Sequence, residues 1–554
     1  MASGGGHGAI TGRTIGIDFG AHAVRVASFV GGRVIIHETP EGTRSFPNIL
    51  AFSPADGTPF VGERARAQAA RNAGGTIDGG GKAVLGVASC VKQAAGALGA
   101  AALVCVPAYA AADGAPVTAV AAATHVLAYA KAIAETGLGA RVENAVISAA
   151  PWMTLRARAA LRAAGAAAGL RVLRITDDTA LAALAYCEAA CKTAGEHTVL
   201  VYDLGGSALK VSAAIIEDGI VEIRAAVADR RVSGSALDEA LVSRCLRERG
   251  APHSARAARR IRDACEAAKR ELSGAARATV RVDGYAAPPD GDLVATVLRA
   301  DFEAADVFSL ALEPVERVLR EGGIARDSVQ TVLLLGGASR VPRIAAALRG
   351  FFGGRDLLRG ARMDFNEAVV AGAAIQGAIL SKVVTGTPLD SLLLFDVCPH
   401  SLGIEGSGGA MISIIKRHTT FPAKKTLAFN SVVTPPTLTM REVAAGASWV
   451  IGTGPRGLPV AVVNVFAGEN AVARDNEYIG TVQLTYTPAV PTFNTRVEVV
   501  FDLCASMILR VAVSAKDGSG AVAECTFSGD FGGGPRDSFG VLQPLDKSDE
   551  RERG

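Results

Sequence analysis

Two strand-to-turn segments constrain this chain more than any other feature: GIDFG at Gly16 to Gly20 and VYDLGGS at Val201 to Ser207, about 185 residues apart. Each ends an apolar strand on an Asp with Gly beside it. A third segment, LLLGGASR at Leu333 to Arg340, repeats the strand-then-Gly pattern without the acid. Gly lets backbone N–H groups approach an anion, and successive N–H groups in a turn form an anion-binding concavity. Aspartates at strand ends can hold the waters of a Mg2+ ion that bridges phosphate oxygens. The pattern therefore predicts a nucleotide cleft built from two similar halves.

At 554 residues the chain is too long for one core, and length suggests roughly three or four domains. A net charge of +3 makes no electrostatic case for nucleic acid or a membrane surface, so neither DNA nor membrane is expected as a partner. Nine Cys are scattered without metal-ligand spacing, and no apolar leader precedes Thr14, so a reducing, cytoplasmic setting is expected. Cys187 and Cys191 fall on one face of an expected helix and read as small apolar residues rather than ligands. The uncharged run from Gln93 to Ala112 has membrane-spanning length. It is mostly Ala and Gly with Pro107 inside, and these carry too little transfer free energy to expect a membrane helix.

Along the chain, residues 1–12 read as a flexible Gly-rich lead. Strands are expected at TIGIDFG, HAVRVASFV, RVIIHE and NILAFS, a helix over Val120 to Thr136, a buried strand over Val142 to Ala150, and an Ala-rich helix over Met153 to Leu170 followed by the strand RVLRIT. VLVYDLGGSALKVSAAII predicts two strands around a Gly turn, and Ala255 to Leu272 a basic helix. After about Lys382 the helical pattern gives way to short β-rich stretches between Pro and Gly turns, as expected of a β-sandwich-like domain. The junction DSLLLFDV, Asp390 to Val397, is apolar where a passive linker is polar, so it is expected to dock.

These segments, with the helix ACEAAKRELS (Ala264 to Ser273), LLLGGASRVPRI, NEAVVAGAAIQGAIL, and DSLLLFDVCPHSLGIE running into KRHTTFPAKK, resemble the seventy-kilodalton heat-shock chaperone family in order and spacing from Thr14 to about Phe527. The resemblance implies an α/β actin-like ATPase domain of four subdomains over 13–385, an interdomain linker over 386–398, and a β-sandwich over 399–530 that in relatives holds an extended peptide. A flexible tail, 531–554, follows, with no C-terminal helical lid. ATP or ADP with Mg2+ are the implied cofactors.

Carried over by position, the resemblance gives Asp18 and Asp203 as the acids that hold the Mg2+ waters and orient the attacking water, and Lys82, in GGKAVLG, as the lysine facing the γ-phosphate. A cation there offsets charge that spreads over phosphate oxygens in the transition state. Gly20, Ala21 and His22 make the first phosphate turn, Gly205, Gly206 and Ser207 the second, and Gly336 and Gly337 the third. Glu266, Lys269, Arg270 and Ser273 match ribose and adenine contacts, Arg340 matches the side chain stacked on adenine, and Asn366 joins the nucleotide-site set. Asp178, included with the metal-site acids, and Thr179 stand where relatives have the Glu-Pro pair that relays nucleotide state.

Several positions depart from the family pattern. Ala21 and His22 replace two threonines, and Ser207 to Lys210 replace Gly-Thr-Phe-Asp, so both turns lose the Thr placed near the transferred phosphate. Lys210 puts a cation where relatives have a carboxylate that helps bind a monovalent ion. Either its ammonium takes over that ion site, making nucleotide binding independent of potassium, or it turns outward to solvent. In the β-domain, Ile404, Phe429, Val463 and Ile508 match the peptide pocket and either accept an apolar side chain or fill the core, while Gly406 and Ser407 replace bulkier arch residues. An insertion of roughly twenty residues between Asn430 and Val460 carries Trp449 and reads as a surface loop.

A missing lid together with eroded hydrolysis residues resembles the atypical ribosome-associated branch of the family, whose members pair stably with a J-domain protein. That implies a subunit that binds ATP, hydrolyses it weakly or not at all, and assists nascent polypeptides at the ribosome. The alternative is a working, lidless ATP-hydrolysing chaperone that binds extended apolar peptides, with any bound peptide leaving quickly.

Overall fold

The computed structural model describes residues 12–53, 56–69, 76–77, 117–190, 195–252, 254–285, 291–355, 358–359, 364, 366–382, 388–406, 409–430, 451–453, 459–485, 496–516 and 520–527. They fall into two compact units. The first takes the described residues up to Asp396 except Met153–Ala160, and the second takes Met153–Ala160 and the described residues from Val397.

The first unit is built on two mixed sheets. In one, β1 (Arg13–Phe19), β2 (Ala23–Val30), β3 (Arg33–Ile36), β4 (Val142–Ala149) and β5 (Arg171–Asp177) lie in the order β3-β2-β1-β4-β5, with Phe46–Pro47 pairing to β2 off this path. In the other, β6 (His197–Leu204), β7 (Leu209–Glu217), β8 (Ile220–Asp229), β9 (Thr331–Leu335), β10 (Leu358–Arg359) and β11 (Leu393–Val397) lie in the order β10-β9-β6-β7-β8-β11. The same pattern recurs: β1 is antiparallel to β2 and parallel to β4, and β6 is antiparallel to β7 and parallel to β9. Both central strands are buried along most of their length, Ile15 to Phe19 and Thr198 to Leu204, so their sequences are continuous apolar runs rather than alternating ones.

Four helices position the site. They are α1 (Asp178–Ala190), α2 (Gly234–Arg249), α3 (Ala255–Leu272) and α4 (Ala368–Ser381). Ser233 and Ser254 cap α2 and α3 by accepting the N–H groups of Ala236 and Ala257. With the hairpin Arg277–Val282/Leu293–Leu298, these two helices bury Leu237, Leu241, Ile261, Cys265, Val280 and Val297 in one core. The expected helix over Met153 to Leu170 is observed as Leu155–Ala167, while Ala255–Leu272 has the bounds read from the sequence. The apolar junction docks: Leu393, Leu394 and Phe395 register in parallel with Ile220, Val221 and Glu222 of β8. Leu394 is buried and Leu393 exposed, as strand alternation requires.

In the second unit, Leu402–Glu405, Met411–Ile415, Ile451–Thr453, Pro459–Ala467 and Glu477–Thr485 form one sheet, and Ala423–Asn430, Arg496–Leu503, Leu509–Ala515 and Val522–Phe527 another. Val463, Val465 and Val482 of the first and Val499, Phe501 and Val511 of the second share one apolar cluster. Ile404 and Val463 are buried in it, Phe429 packs on its flank, and Ile508 is half-buried in the turn after Leu503. Lys82, Cys191, Ser407, Trp449, the run 93–112 and the tail 528–554 lie outside the described residues. Among those described, no helix is long and apolar enough to cross a membrane.

Candidate functional site

The two hairpins β1–β2 and β6–β7 bring their turns to one place. Asp18 sits near the end of β1, and its Oδ2 accepts from Arg25 Nη1 at 3.2 Å while its Oδ1 accepts from Ser148 Oγ at 3.3 Å. Ser148, on β4, in turn accepts the Phe19 N–H at 3.1 Å, which locks the end of β1. Burial pushes the Asp18 carboxyl up to about 6 against the lowering pull of Arg25. Asn48, fully buried, supports the first turn from below, donating from Nδ2 to Gly20 O at 2.7 Å and from its backbone to His22 O at 3.0 Å.

In the second half, Lys210 turns inward. Its Nζ lies 2.6 Å from Asp178 Oδ2 and makes a further ion pair with Asp203 Oδ2, with 13% of the side chain exposed. The alternative of a solvated Lys210 is thereby settled. Burial alone drives an ammonium toward its neutral form, but Asp178 and Asp203 overcome that and hold Lys210 well above the ordinary lysine value. Asp178 is the first residue of α1, so a position read from the sequence as an interdomain relay is a direct partner of Lys210.

The turns pack closely on one another. Gly336, at φ +82°, leaves 2.3 Å between a Cβ at that position and Leu204 O, and 2.6 Å to Asp203 Oδ1, so only Gly fits beside the acid. At Gly206 a Cβ would lie 1.5 Å from His22 Nδ1, which places the His22 ring directly on the second turn. His22 Nε2 also lies 3.4 Å from Ser235 Oγ. The segment Ser233 to Ser235 closes this side, with Gly234 N–H donating to Gly205 O at 2.9 Å and Ser235 N–H to Gly206 O at 3.0 Å. Sequence reasoning missed Asn48, Ser148, Gly234 and Ser235. The Ser-Gly-Ser at a helix start was the available signal for the last two.

On α3, Lys269 is buried and donates to Gly234 O at 3.2 Å and pairs with Asp238 at 2.7 Å. Glu266 and Arg270 form a 2.5 Å pair on the open face, Ser273 Oγ donates to Lys269 O at 3.3 Å, and Arg340 is exposed after the third turn. Lys269 thus joins α3 to Gly234, whose N–H closes on Gly205 of the second turn, while Ala21 is buried in the first turn and Ser207 half-buried in the second. Gly337 starts the short helix behind Gly336, and Asn366 stands in the turn before α4, its N–H donating to Asp364 Oδ1 at 2.8 Å.

Burial also pushes Asp238 up to about 6 from 3.8, despite Lys269. The folded protein therefore takes up this proton at a higher pH than the unfolded chain, so the contribution is fully present below 3.8 and is lost as pH rises through about 6. Acidification from pH 7 toward 4 should stabilise the protein relative to Asp238→Asn by up to about 3 kcal/mol. Paired urea melts across that range check this, and identical pH dependence in the two proteins would refute it.

Two halves of one strand pattern, each ending its central strand on an acid beside a Gly turn, define an actin-like ATPase fold. The family described as Hsp70 protein matches residues 14–448. Heat shock 70 kDa protein 2 of Paracoccidioides lutzii is 34% identical over 94% of this chain and 77% of its own length. A heat shock 70 kDa protein of Penicillium citrinum is 38% identical over 71% and 74%, and heat shock cognate 70 kDa protein 3 of Dictyostelium discoideum is 34% identical over 71% and 59%. The chain belongs to the Hsp70 family of chaperones.

Members of this family bind nucleotide with magnesium in general. The acids expected to organise that ion do not fit it here, because Asp18 is bonded to Arg25 and Asp203 to Lys210.

Proposed function

We propose that this chain is an Hsp70-type subunit that binds ATP or ADP, hydrolyses ATP weakly or not at all, and works with a J-domain protein as a ribosome-associated co-chaperone for nascent chains. The boundaries that go with this reading are a nucleotide-binding domain over 13–385, a linker over 386–398 and a substrate-binding-like β-sandwich over 399–530. A cytoplasmic setting follows from the partners.

The observation that carries the reading is the ion pair of Lys210 with Asp203 and Asp178. A carboxylate that orients an attacking water needs a lone pair aimed at that water. Asp203 instead spends Oδ2 on an ammonium inside a buried cluster. Ala21 and Ala208, both buried, bring no hydroxyl to the turns. The glycines of the turns remain able to present N–H groups to phosphate oxygens, and Glu266, Arg270, Ser273 and Arg340 remain at hand for ribose and base. Ile404 and Val463 fill the β-domain core, which disfavours tight peptide capture.

Single-turnover hydrolysis of radiolabelled ATP, after binding is confirmed by filter retention, tests this with and without an added J-domain. The expected result is binding with little turnover and no stimulation. Turnover that rises severalfold with the J-domain would make the protein a working chaperone instead.

A further inference from the structure

Asp18 and Asp203 stand at equivalent places in the two halves, and each faces a cation across its own hairpin. Asp18 is in register with Arg25, and Asp203 with Lys210. Directly opposed residues of an antiparallel pair project from the same face of the sheet, so each ion pair is built into its hairpin by the ladder. Both pairs are largely shielded from water, with 17% and 12% of the Arg25 and Asp18 side chains exposed and 13% and 7% of those of Lys210 and Asp203.

The surroundings of the remaining carboxylate oxygens are close. Asp18 Oδ1 accepts from Ser148 Oγ, and Gly336 packs so near Asp203 Oδ1 that an added Cβ there would lie 2.6 Å from it. A magnesium ion demands near-octahedral oxygen geometry and keeps several waters, so those waters would compete with both cations for the same carboxylates. The guanidinium and the ammonium together carry the two positive charges of such an ion, and they bring them to the same two carboxylates. Asp178 adds a second acceptor that holds the ammonium in place.

We infer that this site takes its nucleotide as the metal-free anion, with Arg25 and Lys210 standing where a divalent cation would act. The inference rests on the nucleotide-binding reading above and narrows it to a particular ligand form.

Calorimetric titration of the full chain with ATP, once in excess magnesium and once in chelator, tests it. The expected affinities agree within about threefold. A loss of about tenfold or more in chelator would overturn the inference while leaving nucleotide binding intact, whereas no binding in either buffer would overturn the nucleotide reading itself. The Arg25→Gln, Lys210→Gln double variant adds a second arm, in which binding should become metal-dependent by about tenfold. Unchanged metal indifference in that variant would count against the two cations as the cause. Should the variant fail to fold, the two titrations of the unaltered protein still decide the matter.

Discussion

Replacing Lys210 by Met should destabilise the first unit by about 3–5 kcal/mol, because it strips two buried carboxylates of their shared cation. Asp178 and Asp203 are each nearly inaccessible, with 6% and 7% of their side chains exposed. Their mutual repulsion then acts in a medium that screens it poorly. The cost comes from leaving charges unpaired rather than from losing the attraction itself. The triple variant Lys210→Met, Asp178→Asn, Asp203→Asn should therefore recover most of the loss. Urea unfolding followed by tryptophan-independent circular dichroism would measure both. A Lys210→Met protein that unfolds at the same urea concentration as the parent would mean that the ammonium is solvated and the cluster is not closed.

Gly372→Ala should be nearly as damaging, at about 3 kcal/mol or more, at the top of the range for overpacking. A Cβ at this position in α4 would lie 1.9 Å from Leu181 O and 2.5 Å from Leu181 C, so the clash is with the backbone of α1 and no rotamer relieves it. Neighbouring residues show the same closeness: a Cβ on Gly16 would meet Ala374 N at 2.3 Å. The helix can lie on β1 and α1 only because its facing positions are Gly and Ala. Gly350→Ala is the control. It is in a helix, Pro342–Phe351, with nothing within 4 Å of an added Cβ. There the change should stabilise by about 0.5–1 kcal/mol. Equal midpoints for Gly372→Ala and the parent would show that α1 and α4 can separate freely.

Much of the first unit was legible because its signals are local. Apolar runs of strand length, broken by Gly, mark β1, β2, β6 and β7 directly. The small residues of NEAVVAGAAIQGAIL read as part of a family motif, but their reason is steric and belongs to the packing of α4. Within the site, the acids and glycines were readable, whereas Asn48 and Ser148 were not. Both act through single side-chain bonds to backbone or carboxylate groups far away in the chain, and nothing in their own neighbourhood announces that.

The repeated strand-acid-Gly unit and the membership of the chain in its family were legible in the sequence alone, whereas the opposition of Asp203 and Lys210 came with the observed register of β6 on β7. Whether Lys210 pointed to solvent or inward was not determined there. The tertiary structure decided it by bringing the start of α1 alongside β7, so that Asp178 became the second carboxylate an ammonium needs to repay its loss of water. Register is a property of neighbours in the chain, but the charge around a buried group is the sum over everything packed against it, and that sum exists only once the halves have folded together.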